Sequence, residues 1–212
     1  IFDDESAAVQ YVSDLVIDAI NSHAANGVKR NFALGLTTGR TPIGVYHELV
    51  RCYEEGKVSF ENVEVFSLDE FYPIKASEQQ SRNYRIHEEF LSHVNIKPEN
   101  IHIIDGTVPV DKVSAYCVEY DKKARNIDLM VIGMGEQGQI GFNEPGSYAK
   151  SVTRMVQLTY HSRKVQSSQF FGIDNTPKLA ITMGLNTVMS AKRIVLMAWG
   201  EGKAEVVQRV VE

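Results

Sequence analysis

Leu129-Met-Val-Ile132 is an unbroken apolar run, and it empties into Gly133-Met-Gly-Glu-Gln-Gly-Gln-Ile-Gly-Phe-Asn-Glu-Pro-Gly146. A strand covered on both faces reads as a continuous hydrophobic stretch, and a Gly-rich turn at its carboxyl end is how an α/β protein opens onto a ligand crevice. Gly133, Gly135 and Gly138 let the backbone approach a ligand closely. Glu144 places a carboxylate just beyond the turn.

The rest of the chain repeats that arrangement. Val9, Val12, Leu15, Val16, Ala19 and Ile20 recur at helical spacing, with Asp4 or Ser6 as cap and Gly27 as stop. Residues 31–36 read as a buried strand, followed by a turn over 37–41 and a helix over 42–55, its Pro just inside the start and a threonine before it able to cap. A second buried strand over 63–68 ends at Asp69-Glu70. Helices are expected over 81–94, 110–124, 162–171 and 203–211, and further strands over 101–104, 129–132, 153–158 and 194–198. Strands alternating with helices predict a doubly wound, mostly parallel sheet with helices on both faces. No repeat, low-complexity tract or Pro/Ser-rich linker divides the 212 residues, so one domain over 1–212 is expected.

With 43% hydrophobic residues the chain can bury a sizeable core. A net charge of -5 without any Lys/Arg run argues against a nucleic-acid surface, while a few local cations can still serve an anionic small molecule. Cys52 and Cys117 stand alone and read as reduced thiols, which fits a cytoplasmic protein. No apolar run is long enough to span a membrane. The chain opens on Ile1 without a Met and stops at Glu212 within a helical pattern, so a chain incomplete at both ends, C-terminal truncation included, is expected.

Three places carry candidate chemistry. Thr37-Thr-Gly-Arg-Thr-Pro42 joins a strand to a helix start, where unpaired N–H groups and the positive end of the helix dipole suit a phosphate. Thr38 and Thr41 can add hydroxyl donors, Gly39 close approach, and Arg40 charge. An ordinary capped turn is the commoner reading of such a sequence by itself, and the spacing of a P-loop is absent. Asp69 and Glu70 sit at a strand's carboxyl end; one can enter the crevice while the other caps a loop or meets solvent. Lys203 follows Trp199-Gly-Glu-Gly at a third strand-to-helix junction. The six histidines do not cluster at metal-ligand spacing.

The segment ending in Phe142-Asn-Glu-Pro-Gly146 resembles the signature of the glucosamine-6-phosphate deaminase (isomerase) family, Gly-x-Gly-x-Asp-Gly-His-Ile-x-Phe-Asn-Glu-Pro. Gln137 stands at the family's Asp and Gln139 at its His. Gly35-Leu-Thr-Thr-Gly-Arg-Thr-Pro42, Leu68-Asp-Glu-Phe71, Asn95-Ile-Lys-Pro-Glu-Asn-Ile-His102 and Ala180-Ile-Thr-Met-Gly-Leu185 extend the resemblance along the chain in order. It implies a Rossmann-like fold, a sugar-phosphate substrate, no metal or organic cofactor, and assemblies from monomer to hexamer. It implies phosphate binding by residues 38–41 and Lys203. Asp69 becomes the base that moves a proton between C2 and C1 of an open-chain sugar, and Glu144 the support of the ring-opening group.

Three departures accompany it. Gln can hydrogen bond but cannot exchange protons near neutral pH, so Gln137 and Gln139 remove two proton-handling groups, leaving Glu144 as the titratable group expected nearest the ring oxygen. Gln169 precedes Phe170-Phe171 where the family has a phosphate-binding Arg, and Arg163 upstream can substitute only if the local loop differs. The resemblance implies an enzyme converting glucosamine 6-phosphate and water to fructose 6-phosphate and ammonia. A non-catalytic sugar-phosphate-binding module, and a 6-phosphogluconolactonase-like hydrolase or isomerase of another sugar phosphate, stand as alternatives.

Overall fold

The Asp4 carboxylate accepts the Ala7 N–H at 2.8 Å and starts α1 (Glu5–Ala25), so the acidic candidate is the cap. In this computed structural model, which describes residues 1–212, β1 (Phe32–Leu36), α2 (Ile43–Glu54), β2 (Val63–Ser67) and β3 (Asp69–Tyr72) follow. Next come α3 (Arg82–Glu89), β4 (Ile101–His102), α4 (Val113–Ala124) and β5 (Leu129–Gly133). The chain closes with β6 (Arg154–Gln157), α5 (Tyr160–Gln166), β7 (Leu179–Thr182), α6 (Leu185–Met189), β8 (Ile194–Met197) and α7 (Ala204–Val211).

Five strands form the parallel sheet that the alternation predicts, in the order β4-β2-β1-β5-β8. The period of two then sorts their side chains. Leu34, Leu36, Val63, Val65, Leu129 and Val131 share a core with Val12, Val16 and Ile20 of α1 and Val45, Tyr46 and Leu49 of α2. Ala33, Phe66, Met130 and Ile132 face the other way, onto Val113, Cys117, Tyr120 and Ala124 of α4. Strand order reverses between β1 and β5, so the chain leaving these two paired strands turns to opposite sides. That is the switch point where doubly wound sheets leave a crevice.

The structure corrects several sequence expectations. Asp69 and Glu70 do not lie in a loop. They begin β3, which pairs antiparallel with β7 in a second sheet of order β3-β7-β6. Leu68 makes the transfer: its N–H donates to Leu36 of the first sheet, and its carbonyl accepts from Met183 just beyond β7, both at 2.9 Å. The helix expected over 81–94 ends at Glu89, because Phe90 leaves helical geometry with φ −151° and ψ −63°. Its fully buried ring instead packs 5.5 Å from Tyr46 and 5.2 Å from Phe60. The helix expected over 162–171 is α5 followed by a 3-10 turn to Phe170. Pro42, not Thr41, precedes α2, and no side chain caps it.

Candidate active site

The turns that leave β1 and β5 face each other across a cleft of about 290 Å³. One wall is Thr37, Gly39, Arg40, Thr41 and Pro42; the other comes from Gly133, Met134, Gly135, Glu136, Gln139, Gly141 and Phe142. The first wall is held from outside at both ends. The Tyr46 hydroxyl donates to the Thr37 carbonyl, and Trp199 Nε1 donates to the Thr41 carbonyl at 2.8 Å. With no cap on α2, its first-turn amides have no side-chain acceptor, which is what an anion at that end would use.

Asp69 lines the cleft and Glu70 does not. Successive residues on a strand point to opposite sides, so two adjacent carboxylates receive different environments. Glu70 is 1% exposed and fully engaged: it accepts from Ser81 Oγ at 2.7 Å, from the Arg82 and Asn83 amides at 3.0 and 2.9 Å, and from its neighbour Phe71 N–H at 2.8 Å. It thereby holds the start of α3. Asp69 is 5% exposed and accepts no hydrogen bond from the protein; its one ionic neighbour is Arg82, whose Nε lies 3.5 Å from Oδ1. Burial pushes the Asp69 carboxyl above its ordinary value, and the Arg82 charge pulls it part of the way back. Gly141, at φ 59°, passes so close that a Cβ there would sit 3.0 Å from Asp69 Oδ2. The Gly-rich turn is thus shaped to cover the carboxylate, and only glycine suits that place.

Gln139 reaches the cleft, yet its side chain is folded into its own loop. Its Oε1 accepts the Gln137 N–H at 2.9 Å, and a Cβ on Gly135 would lie 2.2 Å from its amide carbon. At Gly135 the close approach expected for a ligand is made by Gln139 itself. Lys203 also lines the cleft, from the turn before α7.

Four expected residues lie elsewhere. Gln137 is exposed and outside the lining. Thr38 faces a small recess shared with Tyr46, Arg85 and Ile86, its hydroxyl buried and unpartnered. Glu144, expected nearest the ring oxygen, accepts instead from the Thr159 hydroxyl at 3.0 Å and the Thr159 N–H at 3.2 Å, where Thr159 caps α5. Arg163 is no substitute for the missing arginine: it donates to the carbonyls of Ile173 at 2.6 Å and Thr176 at 3.4 Å.

Sequence reasoning missed Arg82, Glu136 and Gln166, and gave no role to His161, which the resemblance places near the ligand; all four line the cleft. The His161 side chain makes no hydrogen bond, and its Nε2 is buried without a partner. Arg82 sits one residue after Ser81, a readable helix cap, but no pattern in the chain says that this helix returns over β3. Arg40, Arg82 and Lys203 outnumber Asp69 and Glu136 among the lining charges, so the cleft favours an anion in a chain of net charge -5. No helix is long and apolar enough to cross a membrane.

A mostly parallel sheet with a cation-lined crevice at its switch point defines an α/β protein built for an anionic small molecule. A sequence model described as glucosamine-6-phosphate isomerases/6-phosphogluconolactonase matches residues 3–212, and the chain belongs to that family. It is 41% identical to a glucosamine-6-phosphate deaminase of Halothermothrix orenii over 187 residues, 87% of this chain and 77% of the relative. It is also 41% identical to glucosamine-6-phosphate deaminase 2 of Bacillus subtilis over 190 residues, 87% of this chain and 75% of that one. A solved monomeric glucosamine-6-phosphate deaminase superposes with a TM-score of 0.90 at 32% identity, over 98% of this chain and 84% of its own. The 6-phosphogluconolactonase of Thermotoga maritima shares the fold, with a TM-score of 0.74 at 20% identity over 96% of this chain and 85% of its own.

Proposed function

We propose that this chain is a glucosamine-6-phosphate deaminase (isomerase) that binds its sugar phosphate in the switch-point cleft and uses Asp69 as the proton carrier. The observation that carries this reading is Asp69 itself: a buried carboxylate, unpartnered by hydrogen bonds, facing a cation-lined cleft. The names of the relatives support the substrate. The phosphate falls to Gly39, Arg40, Thr41 and the open start of α2, with Lys203 as a point charge from the far wall, and Thr38 shaping the turn from behind.

In the reaction Asp69 removes the proton on C2 of the open-chain amino sugar. The C–H pair becomes the C1=C2 double bond, and the carbonyl π pair moves to O1, which takes a proton from water. Asp69 then returns its proton to C1 while the nitrogen lone pair forms C=N at C2. Water adds to that carbon, and ammonia leaves to give fructose 6-phosphate. A base whose pKa is lifted by burial suits this transfer. Gln137 and Gln139 do not exchange protons, and Glu144 is engaged by Thr159, so the chain works on sugar whose ring has opened in solution. No metal or organic cofactor enters these steps. A cytoplasmic site of action fits a sugar-phosphate substrate.

Ammonia release from glucosamine 6-phosphate, measured beside calorimetric binding, tests the reading. Asp69→Asn is expected to reduce ammonia release by about 10²–10⁴-fold while binding persists. Unchanged release in that variant removes Asp69 as the base. Binding by the wild type without any ammonia replaces the enzyme with a sugar-phosphate-binding module.

A further inference from the structure

Arg82 is 7% exposed, and none of its guanidinium N–H groups makes a hydrogen bond within the protein. Nε is closed to solvent without a partner, which leaves the two terminal nitrogens to face the cleft that Arg82 lines. The side chain is nonetheless fixed. Its charge centre lies 4.8 Å from the Phe71 ring and 5.7 Å from the Phe142 ring, and its backbone N–H donates to Glu70. A buried guanidinium whose donors lack acceptors is costly, so a structure that holds one rigidly at a cleft wall is prepared for an acceptor from outside.

The neighbour decides which acceptor. Asp69 Oδ1 is 3.5 Å from Arg82 Nε, so whatever meets Arg82 also meets the base. A phosphate dianion there would be driven against a carboxylate, and phosphate already has its own wall at residues 39–41 with Lys203. A carbonyl oxygen fits both constraints: it is neutral when it arrives and becomes negative only as Asp69 withdraws the adjacent proton.

We propose that Arg82 is a catalytic residue, whose terminal N–H groups donate to O1 of the open-chain sugar and stabilise the enolate oxygen formed when Asp69 takes the C2 proton. This rests on the sugar-phosphate reading of the cleft. Such a group acts where charge develops, so its removal falls on the transition state more than on the ground state. Arg82→Lys keeps the charge without the planar fork and recovers only part of the effect.

Two ligands separate the outcomes in calorimetry with wild type, Arg82→Gln and Arg82→Met. One is an alditol 6-phosphate, with no oxygen that carries charge at C1. The other is an aldonohydroxamate phosphate, whose planar ionisable group imitates the enolate. The wild type is expected to prefer the hydroxamate, and Arg82→Gln to weaken it by about 10²-fold while changing the alditol by less than about threefold. Arg82→Met, which keeps an apolar stem against Phe71 and Phe142, is expected to show the same selective loss. In turnover the variants are expected to lose kcat with little change in KM. Equal loss of both ligands, or loss of neither, overturns the role of Arg82 and leaves the sugar-phosphate reading standing. Failure of the wild type to bind either ligand overturns that reading, and the role of Arg82 with it.

Discussion

Asp69 and Glu70 are chemically near-identical neighbours with opposite fates. Glu70 spends its lone pairs on Ser81, Arg82 and Asn83, whereas Asp69 keeps its own for the cleft. Burial raises the Asp69 pKa and Arg82 opposes it, so the carboxylate form is lost at higher pH than for a free aspartate. Ammonia release is therefore expected to fall as pH drops, through a limb at higher pH than a free aspartate would give. In Arg82→Gln that limb is expected to move to still higher pH, since the charge that favoured ionisation is gone; a pH–rate profile of both proteins shows the direction. Only one of the two glutamines reaches the cleft, which separates their effects. Gln139→His is expected to raise turnover by about 10²-fold or more by restoring a general acid/base, and Gln137→Asp alone to change it little. Equal gains from both would contradict the geometry.

Two carboxylates outside the cleft, buried Glu70 and half-buried Asp128, tie the elements together. Glu70 ties α3 to β3 through three contacts at the helix start. Glu70→Ala leaves those donors unsatisfied and is expected to cost about 3 kcal/mol in urea unfolding, with loss of activity because Arg82 rides on the same turn. At the opposite end of the sheet Asp128 accepts the Ala33 N–H at 3.0 Å, both Arg30 terminal nitrogens at 2.6 and 2.5 Å, and Lys192 at 2.8 Å. These contacts latch β5 to β1, the paired strands whose outgoing turns form the two walls of the cleft. They hold the Asp128 carboxyl well below the usual range. A depressed carboxylate stabilises the fold above its unfolded-state pKa, and that contribution fades as pH falls through the carboxylate range and below. Asp128→Asn is expected to cost about 1–3 kcal/mol at neutral pH, the lower part of the range because Arg30 and Lys192 are solvated, and its difference from wild type is expected to shrink in acid.

Across the molecule the two sheets are joined through shared packing rather than a linker. Ile181 of β7 and Met183 beyond it belong to the same buried cluster as Met130, Ile132 and the inner face of α4. Asn143 adds a polar tie, donating to the Met183 carbonyl at 2.7 Å while its own carbonyl accepts from Arg154 at 3.0 Å. The sole tryptophan, Trp199, is bonded to the turn assigned to phosphate, which makes it a reporter. Glucosamine 6-phosphate and inorganic phosphate are each expected to change its emission, and Arg40→Ala to weaken both responses by a similar factor. A response to the sugar phosphate alone would move the phosphate away from this turn.

The parallel sheet was legible because burial on both faces demands apolar runs, and helices demand their own period, so β1, β2, β5, β8 and the helices between them leave local traces. The Gly-rich turn and the Asp69-Glu70 pair were legible for a related reason: backbone freedom and charge at strand ends are local properties. Of the second sheet only β6 left such a trace, in the strand expected over 153–158; β3 exists only through pairing with residues 179–182, far along the chain. Nor could local pattern tell which carboxylate faces the cleft, that Glu144 is taken by Thr159, or that Arg82 lies beside Asp69. Those are relations between elements, set by how the layers pack, and a side chain's partner across the fold is not written in its neighbours.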